Sequence, residues 1–260
     1  MEKIIVTTAR KPSANAENLA ISTAEKLGLK FIAREDFSLD ALRKIHGAEN
    51  ILLVRNKLLS LVTADGEIFF HPNTAHLRIK NLRLGEGDRL ISAAKIKTGD
   101  KILDCTLGLG SDAIVESFVV GETGSVTALE INPALAELVR FGLKNFADDT
   151  PHVLSAMRRV EVITASYTDF LKNAADKSFD VVYFDPMFRH ALEKSSGINP
   201  IRAVADHSPL EPDSVREACR VARRCVVMKE NARSLEFARL GFKISGGGKY
   251  SPIAFGVIEL

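Results

Sequence analysis

Short apolar runs alternate with amphipathic segments from the start of the chain. In residues 1–76 this pattern predicts strands at KIIVTT, KFIA and NILLVRN, and a hairpin of two further strands that turns at Asp65-Gly66. It also predicts helices over residues 15–28 and 38–47, each ending at a glycine, which tolerates the left-handed backbone of a helix end. We therefore expect a small N-terminal α/β domain over residues 1–76.

From residue 77 onward the alternation is more regular. After a helix predicted at about residues 86–97, segments with helical periodicity separate the apolar runs KILDCT, GSVTALE, RVEVITA, FDVVYFD and RCVVMKE. Strands separated by helices pair in parallel through right-handed crossovers. The last twenty residues contain two strands around a glycine-rich turn, which predicts an antiparallel hairpin. Residues 77–260 thus predict a Rossmann-like α/β domain, with a mostly parallel sheet and an antiparallel C-terminal hairpin.

The composition excludes several classes of protein. Hydrophobic residues make up 46% of the chain and charged residues 26%, which is enough for a real core, and no apolar run reaches the roughly 18 residues that a membrane helix needs. The first residues lack the pattern of a secretory signal, so we expect a cytoplasmic protein. The three cysteines form no C-x-x-C pair and the six histidines are scattered, so we expect neither a disulfide framework nor a metal site.

Charge is nearly balanced over the whole chain but uneven locally. The net charge is +2, yet basic residues outnumber acidic ones by seven to three between Arg78 and Lys101. They outnumber them by nine to three between Arg216 and Lys249. Such stretches permit a polyanionic partner, although charge alone favours solvated helix faces.

The segment LDCTLGLGSDA follows a predicted strand and opens a predicted helix. Its G-x-G-x-x-A spacing, which starts at Gly108, satisfies the fingerprint of dinucleotide-binding loops, and Glu130 lies where an acid can hold ribose hydroxyls. An NAD-dependent dehydrogenase is therefore one alternative. Asp104 and Asp112 oppose it, because a pyrophosphate favours backbone N–H groups without carboxylates nearby.

S-adenosylmethionine (SAM) suits this loop better than NAD. It has no phosphate, its sulfonium and ammonium groups are cationic, and its ribose still favours an acid. Glycine has no Cβ and lets the backbone approach the ligand closely, and the Ser166 hydroxyl can contact the adenine amino group. The predicted cofactor-binding residues are Asp104, Thr106, Gly108, Gly110, Asp112, Glu130, Ile131, Ser166 and Asp185.

The segment VVYFDPMFRH ends a predicted core strand with Asp185, Pro186 and Phe188, which are the predicted catalytic residues. An exocyclic base amine is a poor nucleophile, because its lone pair is delocalised into the ring. The Asp185 carboxylate and the Pro186 carbonyl can accept its N–H groups and localise that lone pair, while Phe188 stacks on the base. A simple turn at Asp-Pro with a core phenylalanine is the structural alternative.

Four segments together resemble the bacterial small-subunit ribosomal RNA guanine-N2 methyltransferases of the J type: LDCTLGLGSDA, ALEINP, ASYTDFL and above all VVYFDPMF. Methionine in place of the second proline separates this tetrad from the [DN]-P-P-[YF] signature of other amino-group methyltransferases. The resemblance spans about residues 78–190. It implies a seven-stranded class I methyltransferase fold, SAM as cofactor, and guanine of ribosomal RNA, or the small ribosomal subunit, as acceptor.

The chain also departs from this family's pattern. Arg189-His190 follow the tetrad where the family has Pro-His, and a Met-Lys-Glu centred on Lys229 stands where it tends to have Lys-Arg-Pro. These three basic residues are predicted RNA contacts. Near the start, IIVTTARKPS resembles the opening of Brix-type ribosome-assembly domains. Its Arg10 and Lys11 precede a predicted helix start, a position suited to phosphate, although a surface turn explains them as well.

These patterns predict a SAM-dependent methyltransferase that acts on an exocyclic amino group, with guanine N2 of ribosomal RNA favoured. A methyltransferase of a protein or small-molecule amine, with the same core, is one alternative. A non-catalytic RNA-binding assembly factor that retains the fold is another. The target nucleotide and the oligomeric state stay open at this point.

Overall fold

Two β-sheets organise the chain, and each lies in its own unit. The structure, a computed structural model, describes residues 3–56, 58–147, 150–187, 199–246 and 251–260. The first unit consists of the described parts of residues 1–71, 133–146 and 194–205. The second unit consists of the described parts of residues 72–132, 147–193 and 206–260.

Strands and helices alternate along most of the chain. The strands are β1 (Ile4–Thr8), β2 (Lys30–Phe31), β3 (Asn50–Arg55), β4 (Leu58–Val62), β5 (Glu67–Phe69), β6 (Lys101–Asp104), β7 (Ser125–Glu130), β8 (Val160–Thr164), β9 (Phe179–Phe184), β10 (Ala222–Asn231), β11 (Lys243–Gly246) and β12 (Ile253–Glu259). The helices are α1 (Ala14–Leu27), α2 (Leu39–His46), α3 (Asn73–Arg83), α4 (Arg89–Ala94), α5 (Ser111–Val120), α6 (Pro133–Asn145), α7 (Pro151–Arg159), α8 (Tyr167–Asn173), α9 (Asn199–Arg202), α10 (Pro212–Val221) and α11 (Glu236–Arg239).

The first unit has a five-stranded sheet in the order β2-β1-β3-β4-β5. β1 pairs in parallel with β2 and β3, whereas β3, β4 and β5 form an antiparallel meander. Helices α1 and α2 begin after Ser13 and Ser38, whose hydroxyls accept a backbone N–H, and they end at the left-handed Gly28 and Gly47. The strands and helices predicted from the sequence of this part are confirmed.

Helix α6 belongs to the first unit although it comes from the middle of the sequence. Gly142 lets α6 lie against the Phe70 ring, because a Cβ at that position would overlap the ring atoms. Lys26 of α1 donates a hydrogen bond to Glu137 of α6 at 2.6 Å. The domain boundary that the sequence predicts at residue 76 stays a prediction.

The second unit has a seven-stranded sheet in the order β11-β12-β10-β9-β6-β7-β8. The five strands from β10 to β8 pair in parallel, and β12 runs antiparallel to both β10 and β11. One face of these strands is buried in a core that includes Leu103, Leu129, Val182 and Val226, and residues of the opposite face, such as Ile102 and Val181, are buried as well. The predicted fold, a mostly parallel Rossmann-like sheet with an antiparallel C-terminal hairpin, is confirmed.

The sequence patterns missed three helices of the second unit, namely α3, α7 and the four-residue α11. α3 begins after Pro72 without a side-chain cap, and buries only Ala75 and Ile79, so its apolar stripe is narrow. α7 follows a threonine that makes no cap hydrogen bond, and its exposed side chains are strongly polar. The helix predicted at about residues 86–97 is limited to α4, because Asp88 caps its start and Lys95 takes the left-handed conformation at its end.

The described part of the chain contains neither a helix suited to a membrane nor a cluster of side chains suited to a metal ion. Within it, no helix is long and apolar enough to cross a membrane. No group of three or more His, Cys, Asp or Glu side chains there is arranged to hold a metal ion.

Candidate active site

The candidate site lies where two neighbouring parallel strands of the second unit end. β6 ends at Asp104 and β9 ends at Phe184, and the two strands pair in parallel with Asp104 opposite Tyr183. The Cys105 N–H continues the pairing by donating to the Tyr183 carbonyl at 2.9 Å. The carboxyl ends of parallel strands are where open α/β sheets bind ligands, so the side chains that follow both strands meet at one edge.

The glycine loop between β6 and α5 is held by backbone hydrogen bonds, one to β7 and one within the loop. The Leu107 N–H donates to the Leu129 carbonyl at 2.9 Å, and the Gly110 N–H donates to the Leu107 carbonyl at 2.8 Å. Gly108 and Gly110 have φ values of +51° and +79°, a conformation that costs glycine little and other residues more. The loop thereby turns sharply into the amino end of α5.

The Asp104 carboxyl is buried under this loop. Its Oδ1 accepts the Thr106 N–H at 2.9 Å, whereas Oδ2 is buried and has no hydrogen-bond partner in the described part of the chain. Burial raises the pKa of Asp104 to about 8, and the neighbouring charges of Asp112 and Asp185 add to the rise. A buried acid with an unpaired oxygen is suited to accept a cationic group or an N–H donor.

The Asp112 carboxylate is surrounded by donors from three other elements. Arg78 of α3 donates to its Oδ1, while the Tyr183 hydroxyl and the Lys229 ammonium donate to its Oδ2 at 2.9 Å and 3.0 Å. Burial alone would raise the pKa of Asp112, but the charges of Lys229 and Arg78 outweigh it and hold the pKa well below its usual range. Asp112 is therefore a charged carboxylate that fixes the positions of two cations.

Arg78 itself is anchored on a second carboxylate. Its Nε and Nη2 donate to Asp88 at 2.7 Å and 3.0 Å, in the paired geometry that a guanidinium forms with a carboxylate. The same Asp88 carboxylate accepts the Leu90 and Ile91 N–H groups and thereby caps α4. Arg78 thus links the start of α4 to the glycine loop.

Asp185 is tied to the glycine loop and to β10. Its backbone N–H donates to Thr106 Oγ1 at 2.6 Å, and its Oδ2 accepts a hydrogen bond from Lys229 Nζ at 2.7 Å. The side chain remains 26% exposed, so a ligand can reach it. Burial raises the pKa of Asp185 to about 6, although Lys229 opposes the rise.

Three further predicted residues lie at the ends of the next two strands. Glu130, at the end of β7, accepts the Asn132 N–H at 2.9 Å, and burial raises its pKa to about 7. The apolar side chain of Ile131 is 47% exposed beside it, an environment suited to the face of an adenine ring. Ser166 follows β8 and caps α8, with its Oγ accepting the Thr168 N–H at 3.2 Å, which leaves its hydroxyl proton free to donate elsewhere.

The predicted residues are thus distributed between the two units. The second unit brings Asp104, Thr106, Asp112, Asp185 and Lys229 into one hydrogen-bonded group. Arg10 and Lys11 lie in the first unit, between β1 and α1. Phe188, Arg189 and His190 lie outside the described residues.

Sequence reasoning missed two members of this group, Arg78 and Tyr183. In the sequence, Arg78 belongs to a basic stretch and Tyr183 to an apolar strand. No local pattern points to either residue, because their partner Asp112 lies 34 and 71 positions away in the sequence.

The chemistry of these residues fits SAM. The unpaired, buried Asp104 Oδ2 suits the cofactor's ammonium, and Gly108 leaves the space that a side chain would occupy. Glu130 offers acceptors for ribose hydroxyls, and Ile131 offers an apolar surface for the adenine. None of these contacts requires a cation that binds phosphate.

Residues 36–238 match the family model described as "Putative SAM-dependent methyltransferase". The chain belongs to this family. Its cofactor is therefore S-adenosylmethionine, as the carboxylates flanking the glycine loop predicted, and the dehydrogenase alternative is wrong.

Named relatives of this methyltransferase cover most of its length. The uncharacterized protein YpiP of Bacillus subtilis (strain 168) is 39% identical over 98% of this chain and 99% of its own. Ribosomal RNA small subunit methyltransferase J of Thioalkalivibrio sulfidiphilus (strain HL-EbGR7) is 31% identical over 72% of this chain and 76% of its own. The predicted resemblance to J-type enzymes is confirmed at this level of similarity.

A solved structure shares the fold of the methyltransferase. The crystal structure of the SAM-dependent methyltransferase NGO1261 from Neisseria gonorrhoeae matches with a TM-score of 0.61 and covers 98% of this chain and 95% of its own. At 16% identity the match concerns the fold alone.

Proposed function

We propose that this methyltransferase transfers the SAM methyl group to an exocyclic amino group, namely N2 of a guanine in ribosomal RNA. The observation that supports this proposal most is the position of Asp185-Pro186. This dipeptide follows β9 directly. The Asp185 backbone N–H donates a hydrogen bond to Thr106 Oγ1, at the start of the glycine loop. Acceptors for an amine therefore stand beside the loop that is suited to the cofactor.

The amine needs activation by orientation rather than by a strong base. SAM supplies an electrophilic methyl carbon on its sulfonium. The Asp185 carboxylate and the Pro186 carbonyl accept the two amine N–H groups and localise the lone pair on nitrogen. The proline ring limits the backbone at 186 and keeps that carbonyl in place. Holding the nitrogen in line with the methyl carbon supplies much of the rate.

The charge of Asp185 sets the pH range of this reaction. An ionised carboxylate accepts the amine N–H, whereas a protonated one has lost one acceptor site. Burial raises the pKa of Asp185 to about 6. The rate of methyl transfer should therefore reach its plateau above that pH and should fall as the pH drops through it. The amine loses its own proton to solvent after the transfer, so the site needs no further general base.

Basic residues of the first unit support an RNA acceptor. Arg10 donates to the Asp36 carbonyl at 3.1 Å and Arg34 donates to the next carbonyl, that of Phe37, at 3.3 Å, so the two guanidinium groups lie near each other. Burial lowers the pKa of Arg34, and the positive charges of Arg10 and Arg55 lower it further. A phosphate beside Arg34 would relieve this repulsion, which agrees with the prediction that Arg10 and Lys11 contact RNA.

The names of relatives point to the same acceptor. Several proteins at 27–31% identity are named ribosomal RNA small subunit methyltransferase J. We propose that this chain shares their class of acceptor, and that the Phe188 ring stacks on the target guanine while Arg189 and His190 contact the RNA.

The test is methyl transfer from labelled SAM by the purified protein. The acceptors are small ribosomal subunits and naked ribosomal RNA from a strain that lacks the gene, with subunits from the parent strain as the control. We expect label in RNA from the deletion strain only, at N2 of a guanine. Label at another base position would overturn the guanine assignment and keep the RNA acceptor.

Protein and small-amine acceptors are the second arm of this experiment. Label in protein or in a small amine, with RNA unlabelled, would replace the RNA proposal with the alternative methyltransferase. If SAM binds but no acceptor from a whole-cell extract of the deletion strain is labelled, while RNA binds tightly, the non-catalytic assembly factor is the better explanation.

A further inference from the structure

Lys229 connects the carboxylates of Asp112 and Asp185. Its Nζ lies 2.7 Å from Asp185 Oδ2 and 3.0 Å from Asp112 Oδ2, and its side chain is only 20% exposed. Lys229 lies on β10, which pairs in parallel with β9, so its backbone is fixed next to the strand that carries Asp185. Most of the ammonium's hydrogen-bonding capacity is thus used inside the site.

Asp112, which binds Lys229, is itself held by two further hydrogen-bond donors. Arg78 and Tyr183 donate to Asp112, and Asp88 holds Arg78. The side chains form a row of alternating charge, in the order Asp88, Arg78, Asp112, Lys229 and Asp185. Each internal member is bonded on both sides, so moving one would leave a buried charge without its partner.

Lys229 engages one of the two oxygens of Asp185. In the described part of the chain, Lys229 is the one side chain that donates to this carboxylate, and it does so at Oδ2. The carboxylate is anchored at that oxygen and at the backbone N–H, which bonds to Thr106. Its torsion angles are thereby restricted, and Oδ1 remains as the acceptor for a ligand.

We propose that Lys229 is a positioning residue for methyl transfer: its ammonium keeps the Asp185 carboxylate ionised and oriented so that Oδ1 accepts the N–H of the acceptor amine. The proposal rests on the amino-group reaction proposed above. It gives Lys229 a role different from the RNA contact that the sequence predicted, and it explains why Asp112 and Arg78 belong to the site although neither reaches Asp185 directly.

The charge balance around Asp185 supports this role. The groups that face it from the neighbouring elements are Lys229 of β10, Asp112 of α5, Arg78 of α3, Asp104 of β6 and Tyr183 of β9. Burial and Asp112 raise the pKa of Asp185, and Lys229 is the largest opposing influence. Removing the ammonium should therefore move the pKa of Asp185 upward.

The experiment compares Lys229→Met, Lys229→Arg and the control Lys95→Met. Lys95 forms an exposed ion pair with Glu259 at 2.6 Å, so its replacement removes the same charge outside the site. We expect Lys229→Met to lower kcat by about 10²-fold, the usual scale for losing one preorganised polar group. Lys229→Arg should recover part of the loss, and Lys95→Met should resemble the wild type.

Two readouts separate positioning from a purely structural role. The acid limb of the kcat profile, expected near pH 6 in the wild type, should shift upward in Lys229→Met. The carboxyl resonance of Asp185, assigned in carbon-13-labelled protein by comparison with Asp185→Asn, should titrate about one pH unit or more higher than in the wild type. SAM affinity, measured by calorimetry, should stay within about threefold because Lys229 is not placed against the cofactor.

Three results would overturn the proposal. The first is an unchanged titration of the Asp185 carboxyl in Lys229→Met. The second is a rise in KM for RNA with kcat intact, which is the signature of an RNA contact. The third is a loss of kcat with no change in the acid limb. If Lys229→Met does not fold, the double variant Asp112→Asn with Lys229→Met is compared with Asp112→Asn alone, because the charge of Asp112 itself raises the pKa of Asp185. The upward shifts of the acid limb and of the carboxyl titration are then expected between these two variants.

Failure of the proposed function gives a different result. If no RNA is methylated by the wild type, the carboxyl titration still decides whether Lys229 controls Asp185, since that readout needs neither acceptor nor turnover. An upward shift in that case supports the positioning role for another amine acceptor, whereas an absent shift removes it altogether.

Discussion

The backbone N–H of Asp185 donates a hydrogen bond to the side-chain oxygen of Thr106 at 2.6 Å. This bond joins the residue after β9 to the residue that begins the glycine loop after β6. The Thr106 hydroxyl therefore directly joins the two parts of the site, one suited to the amine and the other to the cofactor. The Thr106 backbone also donates to Asp104 Oδ1, so the same residue is bonded to the Asp104 carboxylate and to the Asp185 backbone.

Replacing Thr106 by valine should separate these two roles. Valine keeps the shape and the backbone bond to Asp104 but leaves the Asp185 N–H without its acceptor. We expect a loss of about 1–3 kcal/mol in the free energy of unfolding, at the lower end because the site is partly open to water, and a fall in kcat of about tenfold. Urea unfolding and single-turnover transfer measure the two effects.

Thr106→Ser is the matched control for that prediction, since it retains the hydroxyl and loses only a methyl group. It should recover most of the stability and of the transfer rate. Equal losses in the serine and valine variants would show that packing of the methyl group, rather than the hydrogen bond, connects the two strands.

Asp185→Asn should remove transfer while leaving SAM binding nearly intact. The amide has the shape of the carboxylate but lacks its charge, so the amine loses its strongest acceptor. We expect kcat to fall by about 10²–10³-fold, measured by labelled methyl transfer at pH 8, with the SAM Kd from calorimetry changed by less than about threefold. A parallel loss of transfer and of cofactor affinity would instead make Asp185 a cofactor-binding residue.

Glu116 of α5 should make the protein less stable as the pH rises. Its carboxyl is completely buried and neither oxygen has a hydrogen-bond partner in the described residues, and burial raises its pKa well above the usual value of 4.5. Below pH 4.5 the Glu116 carboxyl is protonated whether the chain is folded or unfolded. Above it the unfolded chain ionises and the folded chain does not, so ionisation favours unfolding increasingly up to the folded-state pKa.

Glu116→Leu should therefore stabilise the fold, and more so at pH 8 than at pH 5. We expect about 1–3 kcal/mol at pH 8, because an apolar side chain replaces a buried polar group without partners. Chemical denaturation across this pH range checks it, with Glu116→Gln as the control that keeps the polarity without the titration. If the free energies of unfolding of Glu116→Leu and the wild type differ by the same amount at every pH, this result would contradict the raised pKa.

Replacing Arg10 and Arg34 together by alanine should weaken RNA binding without affecting transfer to saturating acceptor. If both contact phosphates, the slope of log K against log salt should decrease in magnitude by about 1.4–1.8. The control is Lys30→Ala with Lys44→Ala, which removes the same charge from exposed positions of the same unit. Equal effects of the two double variants would indicate a general loss of charge rather than a phosphate site.

The sequence determined the secondary structure of both sheets and the residues at the strand ends. Strand and helix periods are local properties, and so are the caps at Ser13 and Ser38 and the left-handed glycines that end α1 and α2. Alternating strands and helices allow few topologies, which is why the parallel sheet and its ligand-binding edge followed from the pattern. The narrow stripe of α3 and the uncapped start of α7 carried too weak a local signal.

Only the tertiary structure decided which charges meet. Lys229 lies 117 positions from Asp112 and 44 from Asp185, and Arg78 lies 34 positions from Asp112. From the sequence alone, both cations belonged to basic stretches suited to solvent or RNA. Their burial changes that interpretation, since a charge withdrawn from water must find its partner inside the protein. Which carboxylate becomes that partner depends on which strand ends are neighbours, and that is a property of the folded sheet.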